Sequence, residues 1–179
     1  MQIQSLPSNI KEVYAQYTLL QKVHNLLVEK KWIECSGLAN ELSKEQENDF
    51  FGSFYQGICN TQLKFYEEAI ENFELALINI KKNKFPRIIA EYEQETKLRI
   101  AHVYRLQRNY NEAIKHSDEL IAQHPKYVAG YQLKAGIQID LDNFQEALDT
   151  ADSGLGQLPN HSELLELRNS LVYQLTARL

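Results

Sequence analysis

The stretch "RNYNEAIKHSDELIAQHP" at residues 108–125 is echoed by "DNFQEALDTADSGLGQLP" at residues 142–159, which begins 34 residues further along the chain. Ordinary amphipathic helices repeat their apolar positions about every 3.6 residues, and they give no reason for a coincidence at this longer spacing. The echo therefore predicts an internal repeat. If the repeat is real, the same spacing must bring matching residue types into phase elsewhere in the chain.

The 34-residue period divides most of the chain into four repeats when Val128 is taken as the first residue of the last one. The boundaries then fall at 16–49, 50–83, 94–127 and 128–161, and an insertion at 84–93 separates the second repeat from the third. The seventeenth position is aromatic and the twentieth is small in every repeat: Trp32, Tyr66, Tyr110 and Phe144, then Cys35, Ala69, Ala113 and Ala147.

Each repeat is predicted to form two antiparallel helices joined by a short turn, because apolar residues at helical spacing are interrupted near the fifteenth position and then resume. Small residues at positions eight and twenty would allow the two backbones to approach, and the aromatic residue would pack at the turn. Pro125 and Pro159 are expected to end second helices, and Pro86 predicts that the third repeat's first helix begins near residue 87. Ser162 is a candidate N-cap for an amphipathic helix over 162–179.

The combination of a small residue at eight, an aromatic at seventeen, alanine at twenty and proline at thirty-two resembles the tetratricopeptide repeat. The resemblance covers residues 16–161 and is strongest in the last two repeats. It implies an all-α fold, an α-solenoid in which tandem helix-turn-helix units form a right-handed superhelix. Residues 162–179 would be its capping helix, and residues 1–15 an N-terminal helical extension.

The same resemblance implies a non-catalytic protein–protein interaction module, a scaffold or adaptor that binds a protein or peptide segment in a concave groove. The groove side chains would come from the first helix of each repeat. In the second and third repeats the predicted partner-binding residues are Phe51, Phe54, Tyr55, Ile58, Gln62, Leu98, Arg99, His102 and Arg105.

Two alternatives to this assignment follow from the same residues. The aromatic residues of the second repeat could pack against the first repeat or against the chain before residue 16, and the arginines could be surface charges balanced by Glu91, Glu93 and Glu95. A docking site for chaperone C-termini is disfavoured, because His24 and Tyr55 stand where such a clamp has asparagine. The aromatic-rich stretch at 50–70 also resembles bacterial secretion chaperones, which hold a segment of a secreted substrate, and this is the alternative function.

The composition of the chain narrows the range of possible functions and cellular locations. A net charge of −5 and a pI near 5.6 argue against nucleic-acid binding, and no apolar run is long enough for insertion into a membrane. The absence of a secretory leader favours the cytoplasm. Cys35 and Cys59 suggest buried apolar residues, and the five histidines are scattered. We therefore predict no catalytic residue, metal site or cofactor, whereas the oligomeric state stays open.

Overall fold

The computed structural model describes residues 8–45, 50–81 and 86–178, and all regular secondary structure within those ranges is α-helical. The expected all-α, helix-turn-helix fold is confirmed. Residues 1–7 of the predicted N-terminal extension, and Lys84 and Phe85 of the predicted insertion, lie outside the described residues. The helices are α1 (Ser8–Val28), α2 (Trp32–Glu45), α3 (Phe50–Leu63), α4 (Tyr66–Ile80), α5 (Pro86–Leu106), α6 (Tyr110–Gln123), α7 (Val128–Asp140), α8 (Phe144–Gln157) and α9 (Ser162–Thr176).

The turn between the two helices has the same conformation in all four repeats. The backbone N–H at position sixteen donates to the carbonyl at position eleven over 2.8–2.9 Å, which is the long bond of a Schellman motif. The residue at position fifteen adopts a left-handed conformation each time, although none of the four is glycine. These residues are Lys30 (φ 58°), Lys64 (φ 66°), Arg108 (φ 60°) and Asp142 (φ 63°).

The aromatic residue at position seventeen is the first residue of the second helix in every repeat, at Trp32, Tyr66, Tyr110 and Phe144. The small residues at positions eight and twenty are all buried, as the sequence predicted. Gly57 shows why the eighth position must be small: a Cβ added to it would lie 2.6 Å from the ring of Phe73 in α4. The repeated small residues therefore mark where the paired helices approach each other most closely.

The chain folds as two compact units, residues 1–89 and residues 90–179. In the first unit, α2 packs against α1 and α3, and α3 packs against α4. Val23, Cys35 and Cys59 are fully buried together in its core, and the Cys35 thiol donates to the Val23 carbonyl over 3.7 Å. Both cysteines carry free thiols, as expected for small core residues.

The described residues of the second unit include two apolar clusters. The first joins α5, α6 and α7 and includes Ala101, Ala113, Leu133 and Ile137. The second joins α7, α8 and α9, and its members are Ala135, Phe144, Ala147, Ala151 and Leu171. Because α7 contributes to both clusters, its side chains hold this unit together from two sides.

The residues at which the helices begin and end test the remaining sequence-based predictions about the fold. Helices α6 and α8 end two residues before Pro125 and Pro159, and α5 begins at Pro86, so these predictions are confirmed. The N-cap prediction for Ser162 is wrong. Ser162 is the first residue of α9, and His161 occupies the cap position without a side-chain cap bond. No helix in the described ranges combines the length and the apolar character that crossing a membrane requires.

Candidate functional site

A cavity of about 290 Å³ lies between α5 and α7 in the second unit. Its lining is mixed: Leu98 and Leu133 supply apolar surface, and charged or polar side chains supply the rest. Three of the predicted groove residues, Leu98, Arg99 and His102, are brought together here. The full lining is Glu95, Leu98, Arg99 and His102 from α5, with Ala129, Gln132 and Leu133 from α7.

The charges in this cavity are neutralised within the protein. Arg99 forms an ion pair with Glu95 at 2.7 Å, one helical turn away on α5. The Tyr127 hydroxyl donates to the other Glu95 oxygen over 3.0 Å. Burial and then the Glu95 charge raise the pKa of Tyr127, so this hydroxyl stays protonated as a donor. Glu95 therefore balances Arg99, as the alternative assignment of surface charges proposed.

His102 and Arg105 add no free positive charge to the cavity. Burial lowers the pKa of His102, and the positive charges of Arg105 and Arg99 lower it further, so its imidazole is neutral at pH 7. Arg105 makes a bidentate pair with Asp140, with Nε to Oδ2 at 2.6 Å and Nη2 to Oδ1 at 2.9 Å. Its guanidinium lies against Gly136, where an added Cβ would be 2.7 Å from Nη1.

Phe54 lies in the core of the first unit instead of on an open surface. Its side chain is 4% exposed. The ring stacks on Phe50 with centroids 5.2 Å apart and meets Phe73 edge-on at 6.0 Å. The assignment of Phe54 as a partner-binding residue is therefore corrected, because its apolar surface is already covered by aromatic neighbours from α3 and α4.

The other predicted residues of the second repeat differ in accessibility. Phe51 is half-buried and stacks on Tyr55 at a centroid distance of 6.4 Å. Tyr55 also packs beside the Val23, Cys35 and Cys59 cluster. Ile58 is half-buried, and Gln62 is exposed. These four residues keep some accessible surface, so their assignment to a binding surface stays a prediction.

Sequence reasoning missed Ala129, Gln132, Leu133 and Tyr127. The first three occupy the second, fifth and sixth positions of the fourth repeat, which Phe51, Phe54 and Tyr55 occupy in the second repeat, so applying the same positions to the fourth repeat would have found them. The Gln132 amide donates to Glu163 of α9 over 2.9 Å. No pattern in the sequence indicates that Tyr127 bonds to a carboxylate 32 residues earlier. Among the described residues, no three His, Cys, Asp or Glu side chains are grouped to hold a metal ion.

Comparison with known sequences supports the family suggested by the repeat. A family profile described as "Tetratricopeptide repeat" matches residues 104–171. The U-box domain-containing protein 70 of Oryza sativa subsp. japonica is 29% identical over 168 residues, which cover 92% of this chain and 18% of that protein. The chain thus spans less than a fifth of the length of this curated relative.

Solved structures share the fold at low sequence identity. A MamA double mutant from RS-1 has a TM-score of 0.64 at 14% identity, covering 89% of this chain and 84% of that one. A tetratricopeptide repeat protein from Parabacteroides merdae scores 0.65 at 17% identity, with coverages of 90% and 59%. The Cut9–Hcn1 heterotetramer of the APC/C scores 0.68 at 15% identity, with coverages of 87% and 30%.

Proposed function

We propose that this chain, whose residues 104–171 match the tetratricopeptide repeat profile, is a non-catalytic scaffold or adaptor that holds a segment of a partner protein in the cavity between α5 and α7. The proposal rests on which residues line this cavity. Side chains from the same repeat positions of two consecutive first helices form one cavity of about 290 Å³. A cavity of this size matches one or two side chains of a peptide, near the lower limit of ligand sites.

The internal charge pairing indicates which partner side chains this cavity suits. Arg99 is paired with Glu95, and His102 has a lowered pKa, so neither offers an uncompensated positive charge to an acidic peptide. Leu98 and Leu133 remain as the apolar part of the lining. We therefore favour a segment that inserts an apolar side chain, since burial of apolar surface would supply most of its affinity.

The alternative function, a chaperone for a secreted substrate in a bacterial secretion system, was suggested by the aromatic residues of α3. Phe50 and Phe54 are core residues of the first unit, so they account for packing instead of substrate capture. Phe51 and Tyr55 keep accessible surface but also stack on each other. The support for a chaperone is therefore weaker than the support for a scaffold or adaptor.

Filling the cavity tests the proposed function. Ala129→Phe would place a ring among the lining residues without removing a core side chain, and Ala122→Phe makes the same change at an exposed position of α6. Tagged full-length variants would be used to isolate partners from the source cells, followed by quantitative mass spectrometry. We expect Ala129→Phe to lose a partner that the wild type and Ala122→Phe retain.

Circular dichroism must show equal helicity for the two variants. Equal recovery of every partner by both variants would contradict the assignment of the cavity. The nature of the partner separates the two functions, since a folded stoichiometric subunit indicates a scaffold and an unfolded secreted substrate indicates a chaperone.

A further inference from the structure

The two cysteines of the chain meet in the first unit, although they belong to different repeats. Cys35 is the twentieth residue of the first repeat and lies on α2, whereas Cys59 is the tenth residue of the second repeat and lies on α3. Both side chains are fully buried in the same apolar cluster. The equivalent residues of the third and fourth repeats, Ala113 and Ile137, also share one cluster. The contact between the cysteines therefore follows from the repeat geometry, and the side chains at these two positions determine its chemistry.

The packing of α2 on α3 places the two cysteines opposite each other. A Cβ added to Gly52 of α3 would lie 2.6 Å from the backbone nitrogen of Ser43 of α2, so the two backbones come close at this end of the pair. Cys35 precedes Ser43 by eight residues, and Cys59 follows Gly52 by seven. At about 1.5 Å per residue these separations are about 12 and 10 Å, measured in opposite sequence directions from the close approach. Cys35 and Cys59 thus lie at the same level of two antiparallel helices.

The two thiol groups interact directly. They are hydrogen-bonded to each other, and the Cys35 thiol also donates to the Val23 carbonyl over 3.7 Å. The hydrogen bond from Cys59 lowers the pKa of Cys35, and the same bond, followed by burial, raises the pKa of Cys59. Cys35 therefore forms its thiolate before Cys59 does, and the thiolate is the form that attacks an oxidant. A second thiol within hydrogen-bonding distance can then attack the oxidised sulfur.

We propose that Cys35 and Cys59 are a modification site at which hydrogen peroxide forms a reversible disulfide between α2 and α3. The Cys35 sulfur attacks one peroxide oxygen, the O–O bond breaks, and the other oxygen leaves as water with the proton that Cys35 loses. Cys35 is then a sulfenic acid. The Cys59 sulfur attacks the Cys35 sulfur, so the S–S bond forms while the S–O bond breaks, and the hydroxyl group leaves as water with the proton of Cys59. Peroxide gains the two electrons that the thiols lose, and a dithiol reductant reverses the change.

The disulfide would connect the first repeat to the second covalently. It closes the chain between residues 35 and 59 into a loop, which restricts the unfolded state more than the folded state. Because neither thiol is exposed, peroxide reaches Cys35 only when the unit opens locally, so the reaction is slower than that of an exposed thiolate. The site lies in the first unit, whereas the cavity between α5 and α7, the groove cavity, lies in the second. The result of its test is therefore independent of the proposed function.

The test exposes the reduced full-length protein to hydrogen peroxide, blocks the remaining thiols with N-ethylmaleimide in denaturant, and identifies the peptides by mass spectrometry without reduction. We expect a peptide that joins Cys35 to Cys59, together with an intact monomer that has lost two hydrogens and takes up no maleimide. Dithiothreitol should restore both thiols. Unmodified thiols after prolonged exposure, sulfinic or sulfonic acid without a linked peptide, or disulfides between two molecules would overturn the proposal.

Melting and matched variants test whether the link forms in the folded protein. The oxidised wild type should melt about 5–10 °C above the reduced protein, as followed by circular dichroism. Cys59→Ala removes the second thiol, so dimedone should label its Cys35 sulfenic acid, whereas Cys35→Ala should be labelled far less. Neither variant should gain melting temperature with peroxide. A linked peptide without a rise in melting temperature, or an equal rise in either variant, would overturn the assignment, and the peptide mapping of the wild type stays decisive if a variant fails to fold.

Discussion

Gly57 offers a test in which two physical effects of known size oppose each other. It lies in the interior of α3, where replacing glycine by alanine normally stabilises a helix by about 1 kcal/mol. The new Cβ of Gly57→Ala, however, would lie 2.6 Å from two ring atoms of Phe73, which is fully buried. Ordinary contact needs about 1 Å more, and overpacking of this kind costs about 1–3 kcal/mol. We expect a net destabilisation of about 1 kcal/mol.

Gly37 provides the matched control, because it lies inside α2 of the same unit and an added Cβ meets nothing within 4 Å. Gly37→Ala should therefore stabilise the unit by roughly 0.5–1 kcal/mol. Urea unfolding followed by the fluorescence of Trp32, the single tryptophan, reports on this unit. If both substitutions stabilise the protein equally, α3 and α4 do not approach each other as closely as the structure shows, and the reasoning about the eighth repeat position fails.

Two further predictions concern a turn and an ion pair. Residue 64 has a φ of 66°, which glycine adopts freely and a β-branched residue does not. Lys64→Gly should therefore stabilise the protein by up to about 1 kcal/mol, and Lys64→Val should destabilise it. Thermal melting of both variants checks that the two changes have opposite signs. The hydrogen bond from Arg105, and then its positive charge, lower the pKa of Asp140 below the ordinary value of 3.8. The ionised Asp140 therefore stabilises the folded protein above pH 3.8, and this stabilisation is lost as the pH falls through the lowered pKa of the folded state. Asp140→Asn should therefore lower the free energy of unfolding by about 0.5–1 kcal/mol at neutral pH, as measured by urea unfolding. The difference between the variant and the wild type should vanish well below pH 3.8. A difference that does not change with pH would rule out this ion pair as its source.

The fold was largely predictable because it depends on side-chain size at repeated positions. Aromatic and small residues recur in phase, and their types alone indicate where helices begin and where they pack. The left-handed residue of each turn was not predictable, since lysine and arginine carry no signal for positive φ and only Asp142 belongs to a residue type that is enriched there. The backbone hydrogen bond from position sixteen to position eleven accompanies that conformation in all four repeats, whichever side chain is present.

The candidate site was predictable only in part, and Phe54 and Leu98 show the reason. Both occupy the fifth position of a first helix, so the repeat assigns them the same direction. Phe54 is nevertheless buried against Phe50 and Phe73, whereas Leu98 lines a cavity. Repeat position determines where a side chain points, but the size of its neighbours determines whether its surface remains accessible. Whether that surface remains accessible can be read only from the structure.

Charge pairing within the second unit determines what a ligand of the groove cavity would gain. On the groove side Arg99 is paired with Glu95, so a ligand there gains mainly from apolar burial, which salt hardly screens. Because each helix of a repeat array presents opposite faces to different neighbours, substitutions can change the face that lines the groove cavity while the core positions stay the same.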